Sequence, residues 1–320
     1  MRSFWKIPMR FFRKYRKQAE MFAFRLPAWY DVRDMEGQRL KRNKALKIAG
    51  IAAAILIALL LLNRIVYWTL LPIIFFHGVF DESAYEDNLA DPSLEPLAVE
   101  TANGTLYGWQ RVKDSRTVVI YYGGDASDSN AWLRGFDERQ RQTAFGDATL
   151  VTADYPSFGK SEGSISEAAF FDAAEAVYAH VERTYPDAAK VLIGYSLGCA
   201  AALEMAARHE TDGLVLVAPM YDGTTMYFPR TSLLHAYFEP TASVRLDNDE
   251  TAKSAEERTL VIASSADTMT RIDDVSALCE AFPAKPMLLR LDAIGHGDYW
   301  GSEETLAAIG RFVRETNTQE

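Results

Sequence analysis

The chain holds 320 residues, 48% of them hydrophobic and 24% charged, a composition that folds and that excludes an intrinsically disordered polypeptide. Its net charge of −10 is unevenly placed, with 14 of the 34 Lys/Arg but only 4 of the 44 Asp/Glu in residues 1–47. The rest of the chain is therefore strongly acidic, which argues against a nucleic-acid partner.

Residues 1–45 form a basic, aromatic-rich segment in which Phe12, Tyr15, Ala19 and Phe22 fall at helical spacing. Two readings stand side by side: a basic amphipathic helix lying on an anionic membrane surface, or a basic tail with no fixed structure. Ile48–Leu62 (IAGIAAAILIALLLL) is uninterrupted and apolar. A membrane span needs about 20 residues, which predicts one transmembrane helix over residues 46–71. Arg64 would then snorkel to the interface, with Tyr67 and Trp68 in the aromatic belt. The basic stretch ahead of the apolar core is too long for a cleaved signal peptide. Cations crowd the near side of the span and are sparse beyond it. The expected topology is a cytoplasmic N-terminus and a main domain on the opposite side, periplasmic or extracellular.

Residues 77–96 read as a polar linker stopped by Pro92 and Pro96. A hairpin is predicted from Leu97–Ala102 and Leu106–Val112 around Asn103-Gly104. Next come a buried strand at Thr117–Tyr122, a helix from Asn130 to about Phe145 and a strand at Ala148–Asp154. A helix capped by Ser164 or Ser166 then runs to about Arg183. Beyond the strand Leu214–Val217, residues 220–258 are irregular and read as a cap-like insertion. Strands at Thr259–Ser264 and Pro286–Leu291 alternate with helices at Ile272–Phe282 and Glu303–Glu315. A hairpin followed by alternating strands and helices predicts a mostly parallel sheet covered on both faces, over residues 97–316. Cys199 and Cys279, each in an apolar helical context, read as buried thiols.

Between Lys190 and Pro219 the chain concentrates its chemistry. Val191-Leu192-Ile193 has strand length, Gly194-Tyr195-Ser196-Leu197-Gly198 is a G-x-S-x-G turn, and an Ala-rich helical pattern follows. A serine on such a strand-to-helix turn projects its hydroxyl above the sheet edge, beside the free N–H groups of a helix N-terminus. It needs a base and an orienting acid. Of the five histidines, His77 precedes the domain, His180 and His209 sit on or at the end of helices, and His235 lies in the insertion. His296 follows the last strand, where parallel sheets place catalytic loops, and is the expected base. Asp267, just after the strand Thr259–Ser264, is the expected acid, with Asp222 as rival. Ser196, Asp267, His296 is the chain order of this type of triad.

These features resemble the α/β-hydrolase fold over about residues 95–316. They are most similar to a membrane-anchored serine-hydrolase-like group with a D-Y-x-G-[YF]-G-x-S-x-G stretch. Here that stretch reads Asp154-Tyr155-Pro156-Ser157-Phe158-Gly159-Lys160-Ser161-Glu162-Gly163, with Ser157 in place of a glycine. In that group the stretch shapes the floor beside the active site. The group's H-G-x oxyanion loop corresponds to Tyr122-Gly123-Gly124. The resemblance implies an oxyanion hole from the Gly124 and Leu197 N–H groups, with Asp125 as an alternative to Gly124. It implies hydrolysis of an ester, thioester or amide, with no cofactor and no metal. The apolar side chains of the insertion (Met220, Tyr221, Met226, Tyr227, Phe228, Leu233, Leu234, Tyr237, Phe238) read either as an acyl-binding wall or as the insertion's own small core. The expected partners are an acyl ester or lipid-like substrate and, through the apolar helix, membrane lipids. The rival readings are a peptidase or amidase of the same fold and a non-catalytic binding module.

Overall fold

A computed structural model describes residues 32–316, with side chains from Gly37 onward, and the basic segment before residue 32 lies outside the described residues. The chain divides into two units, residues 1–62 and Asn63–Glu320. One helix, α1 (Val32–Phe75), runs through the boundary. Its part Gly37–Phe75 is the one helix among the described residues long and apolar enough to cross a membrane. It extends past the expected span at both ends. Toward the N-terminus, Arg, Leu, Lys and Ala are strong helix formers. Toward the C-terminus, the added turn buries Phe75 in the core of the second unit, where Leu71 and Phe76 are also buried.

The expected linker at residues 77–96 is folded. Helix α2 (Glu82–Ala90) occupies most of it, with the Asp81 carboxylate accepting the Ala84 N–H as N-cap. Only Ala84 and Asn88 are buried on it. Its order comes from tertiary bonds such as Asn88 Nδ2 to the Asn130 carbonyl at 3.1 Å, which no local periodicity announces.

Strands β1 (Glu95–Thr101) and β2 (Gly104–Arg111) make the expected hairpin, with Gly104 at φ +122°, a conformation glycine supplies without strain. The remaining strands are β3 (Thr117–Tyr122), β4 (Thr149–Ala153), β5 (Ala189–Tyr195), β6 (Gly213–Val217), β7 (Thr259–Ser264) and β8 (Met287–Leu291). The sheet order is β1-β2-β4-β3-β5-β6-β7-β8, antiparallel through β1, β2 and β4 and parallel from β4 to β8. Every residue of β3, β4, β6 and β7 is buried, as continuous apolar runs between two helical layers must be.

The helix expected from Asn130 to Phe145 is two, α3 (Ser129–Arg134) and α4 (Glu138–Phe145), parted at Gly135. Asp137 and Gln140 form a capping box that restarts the second. Ser166 caps α5 (Glu167–Thr184), and α6 (Gly198–Arg208) follows the G-x-S-x-G turn. The insertion carries α7 (Leu233–Phe238) and α8 (Asn248–Thr251). The chain closes with α9 (Ile272–Cys279) and α10 (Glu303–Thr316). One core cluster joins α5, α6, α9 and the end of α1 to one sheet face, and a second joins α3, α4 and α10 to the other. Cys199 and Cys279 are buried, free thiols.

The insertion is tied to the end of α1. Pro72 has no N–H, so the Trp68 carbonyl one turn earlier lacks its helical partner. The Ser243 hydroxyl donates to that carbonyl at 2.6 Å. Arg64 bonds the Thr241 hydroxyl and lies over the Tyr237 ring, and Tyr67 packs on Phe238 with ring centroids 4.3 Å apart.

Candidate active site

The turn between β5 and α6 is sharp because two glycines let backbones meet. A side chain on Gly194 would strike the backbone of Gly198 and Cys199, and one on Gly198 would strike the carbonyls of Tyr122 and Gly123. Between them Ser196 sits at φ +51°, in the left-handed region that a serine adopts only under constraint. Its N–H is held by the Val217 carbonyl of β6 at 2.9 Å, and its own carbonyl accepts the Cys199 N–H that starts α6. The strain is thus held by a neighbouring strand and by the helix.

Asp267 and His296 follow β7 and β8, two and three strands along the sheet from β5. Ser196 Oγ lies 2.8 Å from His296 Nε2, and His296 Nδ1 lies 2.8 Å from Asp267 Oδ2. The Asp267 carboxylate is saturated with donors. Oδ1 accepts the N–H groups of Met269 and Thr270, and Oδ2 also accepts the hydroxyls of Thr270 and Tyr299. Burial pushes this carboxyl's pKa up, but the bonds from His296 and Thr270 outweigh it and bring it below the usual carboxylate range. It stays ionised at neutral pH. The Tyr195 hydroxyl donates to the His296 carbonyl, which fixes the histidine loop from the side of the serine turn.

Asp222, the rival acid, faces elsewhere. Its Oδ2 lies 2.7 Å from His235 Nε2, and its Oδ1 accepts the N–H groups of Thr224 and Thr225. Both residues of this pair are buried, and they pin α7 to the start of the insertion. Sequence reading missed that pair and both tyrosine contacts. The only signals available were that Tyr195 lies inside the G-x-S-x-G turn and that Tyr299 lies three residues beyond His296.

The loop after β3 lies against the serine turn: a side chain on Gly124 would meet the Tyr195 ring and carbonyl. The Gly124 carbonyl accepts the Ser127 hydroxyl at 2.6 Å. The Asp125 carboxylate accepts the His77 N–H at 2.9 Å, so its side chain is turned toward the segment that leaves α1. Leu197, immediately after the serine, is fully buried at the start of α6. Tyr122, standing where the related group has a histidine, points away from this loop. It is buried and donates its hydroxyl to the Ala174 carbonyl of α5 at 3.1 Å. Among the described residues no three His, Cys, Asp or Glu side chains gather as metal ligands.

Asp154–Gly163 packs beneath. Tyr155 donates its hydroxyl to the Gly123 carbonyl at 3.1 Å, bracing the loop from below. Ser157 sits at φ +67°, a conformation that a glycine would adopt without strain. Its hydroxyl reaches the Gly163 carbonyl at 2.9 Å. The Asp154 carboxylate accepts the Ser129 N–H and hydroxyl at 2.8 and 2.9 Å. Burial, aided by the nearby Asp128, still pushes Asp154 up to about 7. In the unfolded chain it ionises near pH 4. Between these values the folded protein keeps a proton that the unfolded chain has lost, so stability falls as pH rises from about 4 to 7. Asp154→Asn retains an acceptor for the Ser129 N–H and removes this titration. Thermal melts between pH 4 and 8 are expected to decline less with pH for the variant than for the wild type. Parallel declines would contradict the assignment.

The chain matches the family model described as "Alpha/beta hydrolase family" over residues 73–313, and it belongs to that family. It is 23% identical over 229 residues to alpha/beta hydrolase domain-containing protein 17C of Xenopus tropicalis, covering 69% of this chain and 70% of that protein. Among solved structures it is similar to the Pyrococcus furiosus esterase Pf2001, with a TM-score of 0.58 at 18% identity. That match covers 76% of this chain and 99% of the esterase. A predicted CIB-like hydrolase of Thermoplasma acidophilum matches with a TM-score of 0.52 at 19% identity, over 69% of this chain and 98% of that one. At these identities the solved structures share the fold.

Proposed function

We propose that the protein is a membrane-anchored serine hydrolase that cleaves a carboxylic ester or thioester of a lipid-like or acylated substrate. The observation that carries this reading is the chain of two 2.8 Å contacts from Ser196 through His296 to Asp267, with the serine held in a strained turn above the sheet. A serine hydroxyl is a poor nucleophile at neutral pH. In the proposed reaction Ser196 Oγ attacks the acyl carbon while His296 Nε2 takes its proton, and ionised Asp267 stabilises the resulting imidazolium at Nδ1. The carbonyl oxygen becomes an oxyanion held by the Gly124 and Leu197 N–H groups. As the acyl–oxygen or acyl–sulfur bond breaks, His296 returns the proton to the leaving group. Water, deprotonated by the same nitrogen, then attacks the acyl-enzyme and frees Ser196.

The lipid-like substrate class rests on the neighbourhood of the site. The insertion follows β6, next to the serine strand, and its Tyr227, Phe228 and Phe238 pack on Tyr67 and Phe75 of α1. Release of p-nitrophenol from acyl esters of two to twelve carbons, set beside release of p-nitroaniline from the matching anilides, tests the reading. Ester turnover far above anilide turnover is expected. Anilide turnover equal to or above it favours the amidase reading, and no turnover of either favours a binding module.

We place the N-terminus in the cytoplasm and the hydrolase domain across the membrane, because the 14 Lys/Arg of residues 1–47 precede the span. A reporter enzyme that works only outside the cytoplasm is expected to be active when fused after Glu320. Activity instead from a cytoplasm-only reporter at the same point would reverse the topology.

A further inference from the structure

The loop that carries His296 is fastened to the loop that carries Asp267 at two places. At its base, the Ser264 hydroxyl oxygen accepts the N–H groups of Ala266 and Ile294 at 3.2 and 3.1 Å, one from each loop. Further along, the histidine loop returns to the acid. Tyr299, three residues beyond His296, donates its hydroxyl to Asp267 Oδ2 at 3.1 Å, the same oxygen that faces His296 Nδ1. Tyr299 is fully buried. Burial and the facing Asp267 charge push its pKa far up, so the hydroxyl keeps its proton and remains a donor.

Two tyrosines therefore hold this loop, and they hold different groups. Tyr195 donates to the His296 carbonyl, a neutral backbone group. Tyr299 donates to the carboxylate that meets the imidazole. A hydrogen bond to an ionised acceptor is about twice as strong as one between neutral groups, and it draws on the charge that the imidazole feels. The remaining groups around the pair come from three elements. The acid loop brings the N–H groups of Met269 and Thr270 and the Thr270 hydroxyl, while Arg271 is turned to Asp274 and the Thr225 carbonyl. The serine turn brings Ser196 Oγ and the Tyr195 ring. On the histidine loop itself, Asp298 lies back beside Gly295, and Asp292 Oδ1 accepts the Ser265 hydroxyl at 3.3 Å.

We propose that Tyr299 is a positioning residue for the hydrolytic reaction: it fixes the Asp267 carboxylate against the histidine loop and sets how tightly His296 holds a proton. This rests on the Ser196–His296–Asp267 reading above and deepens it. Without the Tyr299 hydroxyl, Asp267 keeps the donors from Met269, Thr270 and His296. More of its negative charge then faces Nδ1, the imidazolium is held more tightly, and His296 loses its proton at higher pH. His296 must be neutral to take the serine proton, so the acid limb of kcat/KM moves up.

The full-length protein in detergent micelles, assayed on p-nitrophenyl butyrate from about pH 5 to 9, tests this. Tyr299→Phe removes one oxygen. It is expected to lower kcat about tenfold, to change KM less than about twofold, and to raise the midpoint of the acid limb by about 0.5–1 pH unit. Tyr195→Phe, which frees only a carbonyl, is expected to leave that midpoint within about 0.2 unit. An unmoved midpoint in Tyr299→Phe, or an equal or larger shift in Tyr195→Phe, would overturn the proposal. Lost stability does not imitate the shift, since fewer folded molecules lower the height of the profile and leave its midpoint in place. In Asp267→Asn, adding Tyr299→Phe should cost less than about twofold, because the carboxylate through which it acts is gone. A further tenfold loss there would show that the hydroxyl acts elsewhere and would overturn the proposal as well. A wild type that hydrolyses no ester overturns the serine-hydrolase reading and this role with it. An active wild type whose Tyr299→Phe profile stays in place overturns this role alone.

Discussion

Ser196→Ala and His296→Ala are each expected to lower kcat/KM on a short p-nitrophenyl ester by roughly 10⁵-fold or more, and the double variant to be scarcely worse than either single one. Members of one catalytic unit are strongly non-additive, because the first loss already removes the step that the second serves. The geometry behind the expectation is the 2.8 Å contact between Ser196 Oγ and His296 Nε2. Neither substitution should unfold the protein. Alanine keeps the Cβ that Ser196 already carries at φ +51°, and the Val217 and Cys199 bonds involve only backbone. Four kcat/KM values with matching melts decide it. Losses that multiply would mean that the two residues do not act together.

The second large effect is at the acid. Asp267→Asn is expected to lower kcat by about 10³–10⁴-fold, as when an orienting carboxylate is replaced by an amide that stabilises the wrong histidine tautomer. Asp267 Oδ1 faces two backbone N–H donors and Oδ2 faces His296 Nδ1 and two hydroxyls. The amide keeps its oxygen on the backbone donors, so its NH₂ turns toward His296. That forces the imidazole proton onto Nε2, where it can no longer accept from Ser196. Asp222→Asn, by contrast, should act on the insertion: it weakens the His235 contact and leaves His296 alone. A larger loss of kcat from Asp222→Asn than from Asp267→Asn would refute this assignment of roles.

Much of the fold was readable because its signals are local. Strands buried on both faces appear as unbroken apolar runs, and the apolar run of β5 leading into Gly194 and Gly198 marks a turn that only glycines permit. Ser196, Asp267 and His296 could be chosen together because each follows a recognisable strand, and the structure brings their side chains into contact. What was not readable depends on distant partners. Helix α2 looks like a polar linker because it buries only two residues. Its order comes from Asn130 and from Lys160 stacked 3.6 Å over the Tyr85 ring. The break at Gly135 escaped because the apolar spacing continues through it, though the Asp137–Gln140 box was visible. The Asp222–His235 contact joins residues 13 apart in a stretch with no periodicity. Ser243 answers a vacancy created by Pro72, which no reading of either residue alone predicts.

The most direct test of the central claim is covalent. The full-length protein, exposed to a fluorophosphonate probe, should take up one probe per chain, and digestion should place the added mass on the peptide containing Ser196. Ser196→Ala should take up none, and His296→Ala should react at least 10³-fold more slowly, because the hydroxyl then lacks its base. Labelling of Ser196→Ala at the wild-type rate, or no labelling of the wild type, would contradict the assignment of Ser196 as the nucleophile.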